Sequence, residues 1–432
     1  MKPRAILIVG WLGMVLYAFP GYMSYDSVAQ LFQARLGWFN DGHPPVMAYL
    51  WENVDRLVAG PVLMLLLQVT CFLAGTYFLL RERVSRTAAA IVAVLVLWFP
   101  PVANTMGVIW KDSQMAAYLM LGTALILAPR LRTRLLGLGC LGLATAMRYN
   151  ALAMTFPLVA LLFVWNPTFR WWKRYAIAIV AWVAITFAVR VASTALTDHP
   201  RYIWHQSLAL LDIVGTLREA PDVPDAELQR ELAGTPLIAT TELSARAKKT
   251  YRPDVSPTEQ LWDATDKFFE RPDTEAERAA VSAAWRTIVT GHLGAYLKYR
   301  MIVFGQLTQL DGTPLGSPVY FWFGDIQDLE RSARYIDHDA SPSGLQDLLH
   351  HAMYWLGDTW LFRVSLYLVL SVVLLPFCWR DRLAFALLAS GLMGELFLLV
   401  IAPTVDVRYS FWLVVMAVLS SVLLIARRAS RQ

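Results

Sequence analysis

The sequence predicts an all-α polytopic membrane protein with about ten transmembrane helices. Three observations predict it. The chain of 432 residues is 57% hydrophobic and only 16% charged, far from a soluble average. Charge is absent over many runs long enough to cross a hydrocarbon core of roughly 30 Å. The loops between those runs alternate in charge, which is the signature of alternating sides.

Ten apolar spans are read, at roughly 5–20, 61–80, 87–103, 113–129, 135–147, 150–165, 175–193, 360–378, 383–402 and 409–426. The first lacks a small-x-small cleavage site and is followed by "FPGY", so it reads as a retained anchor. One set of loops is basic: Lys2/Arg4, "RERVSR" (81–86), "RLRTR" (130–134), "FRWWKR" (169–174), "WRDR" (379–382) and "ARRASR" (426–431). The other set comprises 21–60, 104–112, the tight "MRYN" (147–150), 194–359 and "PTVDVRYS" (403–410). Short basic loops stay cytoplasmic. Both termini are therefore expected inside a bacterial inner membrane, and the second set is expected to face the periplasm.

This divides the chain into three parts. Residues 1–193 form an N-terminal module of about seven helices that includes the first outward loop, 21–60. Residues 194–359 form a large, mostly helical outward segment, and 360–432 carry about three more helices. Two short helices are expected in the first outward loop. One starts near "SYDS", with Ser24 as N-cap and Val28, Leu31 and Phe32 on one face. The other starts at "HPP", since proline suits a first helical turn. Both are expected to lie on the outer membrane surface. In the large segment, "DAELQRELAG" and the run 275–307 read as helix, whereas 221–257 is rich in proline and charge and reads as irregular. No internal repeat or inverted symmetry is visible.

The net charge of +5 is a topology signal, because the acids collect in the large segment; nucleic-acid binding is not expected. The three cysteines, Cys71, Cys140 and Cys378, lie in or beside apolar spans and build no disulfide framework. His199, His205 and His292 lack metal-ligand spacing with nearby acids. The reading commits to no metal or other cofactor and leaves a divalent ion open.

Every outward loop carries polar groups near the membrane edge: Asp26 and His43, then Lys111 and Asp112 in "VIWKDSQ", Arg148 and Asn150 in "MRYN", and Asp406, Arg408 and Tyr409 in "DVRY". A charge at the centre of a bilayer costs on the order of 2.5–3.5 kcal/mol, and less near the edge. Gathered on one side, these groups suit a lipid-linked anion. Phosphate would pair with Arg148, Lys111 or Arg408, and Asp26 would take a proton from an acceptor hydroxyl.

The stretches "PGYMSYDSVAQ", "DGHPP", "WKDS", "MRYN" and "DVRY" resemble the GT-C superfamily of membrane glycosyltransferases. Within it the chain is most similar to bacterial proteins like the protein O-mannosyltransferases and aminoarabinose transferases. The resemblance is best over the first seven spans and the first loop. It implies many transmembrane helices, amphipathic helices in the first outward loop and a polyprenyl-phosphate-linked sugar donor. It also implies a glycan, lipid or protein acceptor and a catalytic aspartate in that loop. By position the base is Asp26, His43 falls in the element near the donor, and Arg148 and Lys111 stand where a phosphate-binding cation is expected. Many relatives carry Asp-Glu where this chain has Asp26-Ser27.

Plainer readings stand beside these. Asp26 is also placed to cap its helix, Lys111–Asp112 to mark the start of a span, and Asp406–Arg408 to form a local salt bridge. The alternative function is a transporter or flippase for a lipid-linked or anionic solute. Glu395, inside an apolar span, is the feature in its favour.

Overall fold

Helix starts are written locally in this chain. Pro3, Pro45 and Pro100 stand at the first helical positions of their segments, where a missing N–H costs nothing. Ser24, Ser85, Thr274 and Ser343 each accept a hydrogen bond from the backbone N–H three residues on. The computed structural model describes residues 1–263, 266–312, 318–320 and 342–429. These are helical, and strand-like pairing among them is limited to two isolated bridges.

The chain runs α1 (Pro3–Ala18), α2 (Tyr25–Leu36), α3 (Pro45–Asp55), α4 (Val62–Leu80), α5 (Arg86–Leu97), α6 (Pro100–Met106), α7 (Lys111–Ile126), α8 (Leu131–Met147), α9 (Ala151–Leu162) and α10 (Trp171–Leu196). It continues through α11 (Ala209–Arg218), α12 (Asp225–Glu231), α13 (Leu243–Thr250), α14 (Glu275–Gly291) and α15 (Leu293–Leu307). The last four are α16 (Gly344–Gly357), α17 (Val364–Cys378), α18 (Arg382–Ile401) and α19 (Phe411–Ala429).

Each expected apolar span is helical, 87–103 as the two helices α5 and α6, but fewer qualify as crossings by length. Val62–Leu80, Trp171–Leu196, Arg382–Ile401 and Val407–Arg428 are long and apolar enough to cross a membrane. The count rises to five if α5 and α6, bent by 71° at their break, form one broken span. Others fall short: α1, α9 and α17 have 16, 12 and 15 residues. At 1.5 Å per residue such helices cover roughly 18–24 Å, less than a full hydrocarbon core. The break in the expected span 87–103 follows from "WFPP", whose prolines disfavour helix just before them.

The described residues cluster into two compact units. The first draws on Met1–His199, Gly316–Glu395 and Arg408–Gln432; the second on Pro200–Leu315 and Leu396–Val407. The expected large segment 194–359 is divided between these units, and its part from Gly316 on clusters with the first. Gln346 of α16 explains this, since its side-chain amide donates to the carbonyls of Tyr17 (3.2 Å) and Phe19 (2.7 Å) at the end of α1.

In the first unit, small residues set the tightest packing. A Cβ on Gly75 would lie 2.5 Å from the backbone of α7, and one on Gly137 would lie 2.6 Å from the Ile126 nitrogen. Helices α4, α7 and α8 therefore touch backbone to backbone. Two expected inward loops also meet: Arg83 forks onto Asp381 at 2.7 and 3.1 Å.

The face that α2 buries differs from expectation. Ser27, Gln30, Leu31, Gln33 and Ala34 are buried, while Val28 and Phe32 are only partly so. The polar members tolerate burial because they are bonded. Ser27 Oγ donates to the Ile109 carbonyl at 2.7 Å, and Gln33 Oε1 accepts from the Asn40 backbone at 3.1 Å. This helix packs into the unit and is not merely laid on its surface.

The second unit is organised around α11, which packs on α13, α14 and α15. Asp212 of α11 accepts from Trp285 Nε1 at 2.8 Å and faces Arg300 at 3.4 Å. Arg300 also donates to the carbonyls of Leu398, Leu399 and Ala402, where the C-terminal end of α18 favours a cation. The expected helical run 275–307 breaks at His292, whose ring bonds Glu231 at 2.9 Å. The stretch read as irregular contains the short helices α12 and α13.

Candidate functional site

Local chemistry aims Asp26 away from its own helix end. Ser24 and Ser27 form a reciprocal capping box, so the cap is supplied without Asp26. Its carboxylate instead meets Arg408 Nη1 at 2.9 Å and Lys111 Nζ at 3.6 Å, both at Oδ2, while His43 Nε2 lies 3.5 Å from Oδ1. All four residues belong to the first unit, and each comes from a loop or helix start of the expected outward set.

Backbone contacts explain why these loops converge. Tyr22 pairs with the strand-like stretch after α6, through Tyr22 N to the Gly107 carbonyl (3.0 Å) and Ile109 N to the Tyr22 carbonyl (2.8 Å). Gln68 of α4 donates to the carbonyls of Met106 and Val108 and accepts from Gln114. That network fixes the turn that delivers Lys111 to the first position of α7. The "DGHPP" loop is tied to "MRYN" by Tyr149 Oη, which donates to the Asp41 carbonyl at 3.0 Å.

The protonation pattern follows from geometry. Lys111 Nζ lies 2.7 Å from His43 Nδ1, and an ammonium can only donate, so Nδ1 accepts and Nε2 carries the proton toward Asp26. Burial, reinforced by Lys111 and opposed by Asp26, pushes His43 down to about 3. It is neutral at physiological pH. Burial alone would raise the Asp26 carboxyl, but Arg408, then Lys111, then His43 overcome it and hold it far below the usual carboxylate range. Asp26 is therefore an ionised carboxylate, and its side chain keeps 18% of its surface accessible.

The remaining predicted residues divide clearly. Arg148 pairs with the fully buried Asp112 and donates through Nε to Asn150 Oδ1 at 3.1 Å. Its guanidinium lies over the Tyr409 ring at 4.7 Å. Arg408 stacks on Trp110 at 4.7 Å and on the other contact, Tyr409, at 5.6 Å. Tyr409 thus spaces two guanidinium groups. Asp406, half-buried, falls in the second unit, and Arg408 meets the carboxylate of Asp26.

Sequence reading missed Trp110 and Ser27. Trp110 reads as one of many interfacial tryptophans, yet its ring carries Arg408, and its Nε1 donates to Ser24 Oγ at 2.5 Å. Its place immediately before Lys111 was the available signal. Ser27 stands where many relatives of the resembled superfamily have a second acid. Here that position is fully buried, and its hydroxyl donates to the Ile109 carbonyl.

The surroundings of Asp26 do not suit a divalent cation. Its Oδ2 already faces two cationic side chains, and the nearest histidine nitrogen is a donor. Among the described residues, no group of three or more His, Cys, Asp or Glu side chains has the arrangement to hold a metal. The set suits an anion that carries oxygen acceptors.

No family model, curated protein or solved structure matches the chain.

Proposed function

We propose that the protein is an integral-membrane glycosyltransferase of the GT-C type, with about ten spans and both termini cytoplasmic. It transfers a sugar from a polyprenyl-phosphate donor to a cell-envelope glycan, lipid or protein acceptor at the outer face of a bacterial inner membrane. The observation that supports this reading is one ionised carboxylate, Asp26, set against two cations, Arg408 and Lys111, drawn from three outward loops.

The chemistry is a single displacement. The acceptor oxygen attacks the anomeric carbon as Asp26 takes its proton, and the bond from that carbon to the phosphate oxygen breaks. The configuration inverts, and the polyprenyl phosphate leaves with the electron pair. Arg408 and Lys111 bind the phosphate and stabilise the charge that grows on it. His43, neutral, orients Lys111, and the Arg148–Asp112–Asn150 group holds Tyr409 behind Arg408.

A transporter would need its charges near the membrane midplane, in broken helices of paired halves. The charged cluster here lies at the first turns of α2 and α7 and in the turn before α19, which favours the transferase. The test is label transfer in membranes from a radiolabelled polyprenyl-phosphate sugar. Wild-type membranes transfer label to envelope acceptors; Asp26→Asn at equal expression does not. Equal transfer by the variant sinks the assignment.

A further inference from the structure

We infer that Asp26 is the resident anion of the donor-phosphate site, so that the donor must displace it from Arg408 and Lys111 before it can serve as base. This rests on the glycosyltransferase reading and adds an order to it: donor first, acceptor activation second.

The geometry carries the argument. Arg408 and Lys111 converge on a single oxygen of Asp26, at 2.9 and 3.6 Å. That is how two cations grip one phosphate oxygen. Both are also held by neutral groups. Arg408 rests on the rings of Trp110 and Tyr409, and Lys111 donates to His43 Nδ1. If Asp26 rotates away, the cations keep their positions and remain ready for another anion. Both cations converge on the same carboxylate oxygen, so a phosphate that displaces it meets both at once. Arg148, by contrast, is matched one to one by the buried Asp112 and bonded to Asn150, so that pair is closed to an incoming anion.

The exchange changes what Asp26 can do. A carboxylate gripped by two cations is a weak base, since a proton must compete with both. When the donor phosphate takes those contacts, Asp26 loses two neighbouring positive charges and gains a negative one. Its affinity for a proton rises only when the donor is seated. The same device keeps the base idle in the absence of a sugar donor.

The test measures binding of a short polyprenyl monophosphate to the full-length protein in detergent, with the matching polyprenol and inorganic phosphate as separate arms. Asp26→Asn removes the competing charge and is expected to bind the lipid phosphate at least tenfold more tightly than wild type, with polyprenol binding unchanged. Tighter binding in the inorganic phosphate arm as well assigns the gain to the phosphate group and supports the inference. Asp26→Ala serves where the asparagine variant does not elute as a monodisperse species. Equal or weaker binding by the variants overturns the inference and leaves the donor reading standing. If wild type and variants all fail to bind the lipid phosphate, the donor reading falls and the inference with it.

Discussion

Arg408 Nη1 lies 2.9 Å from Asp26 Oδ2, joining the turn before α19 to the first turn of α2. At an effective dielectric near 20, unit charges about 4 Å apart attract by about 4 kcal/mol. The contact is therefore strong enough to set the state of both residues. Replacing Arg408 by alanine should raise the KM for a polyprenyl-phosphate donor at least tenfold. Arg408→Lys should recover only part of the loss, because an ammonium lacks the planar fork that stacks on Trp110. Steady-state kinetics in detergent checks this.

His43 sets a pH dependence of stability. Its folded value, about 3, lies below the unfolded value of about 6.5, so on acidification the unfolded chain takes the proton first. Stability is full above about pH 6.5 and falls as the pH drops from there toward about 3. Thermal unfolding between about pH 7 and about pH 4.5 should show a decline that His43→Gln makes shallower. Asp26 acts in the same direction at lower pH: its carboxyl is held below the unfolded value of about 3.9, so its contribution is full above that value and lost as the pH falls below it.

Asp112 is the fully buried partner of Arg148. Removing one member of a buried pair leaves an uncompensated charge and costs about 3–5 kcal/mol. Asp112→Ala should thus lower the unfolding temperature markedly. The double variant Asp112→Ala/Arg148→Met should regain much of it while losing transfer activity, because Tyr409 then lacks one of its two flanking guanidinium groups.

Glu395 accepts from Ser410 Oγ at 3.1 Å. This pins the short 3₁₀ turn Val407–Ser410, which carries both Arg408 and Tyr409. As a positioning residue it should tolerate glutamine, whose carbonyl oxygen still accepts, and not alanine. Glu395→Ala should raise the donor KM more than it lowers kcat, and Ser410→Ala should reproduce that pattern. Unchanged donor KM in both variants would contradict the positioning role.

Much of this arrangement is legible in sequence because it depends on short-range rules. The "SYDS" cap, the helix after "HPP" and the three-residue turn at Arg148–Asn150 all follow from local chemistry. The alternation of basic and polar loops groups Asp26, His43, Lys111 and Arg408 before any contact is known. Contacts across the fold are a different matter. Nothing local says that Arg408 reaches Asp26, that Asp112 pairs with Arg148, or that Ser27 faces the Ile109 carbonyl. Helix lengths are less legible for a related reason. Hydropathy marks α1, α9 and α17 as apolar, but length is decided by prolines and turns, as at the α5–α6 break. That Gly344–Gly357 belongs with the first unit is not legible locally, because it is a side chain, Gln346, that ties this helix to α1.

The central claim is that Asp26 is the base of a sugar transfer. The most direct measurement is mass spectrometry of cell-envelope glycans from a strain lacking the gene, complemented with wild type or with Asp26→Asn at matched expression. The account predicts a sugar-modified envelope component that wild type restores and that is missing from both the null strain and the Asp26→Asn strain. A glycan profile restored equally by Asp26→Asn would contradict it.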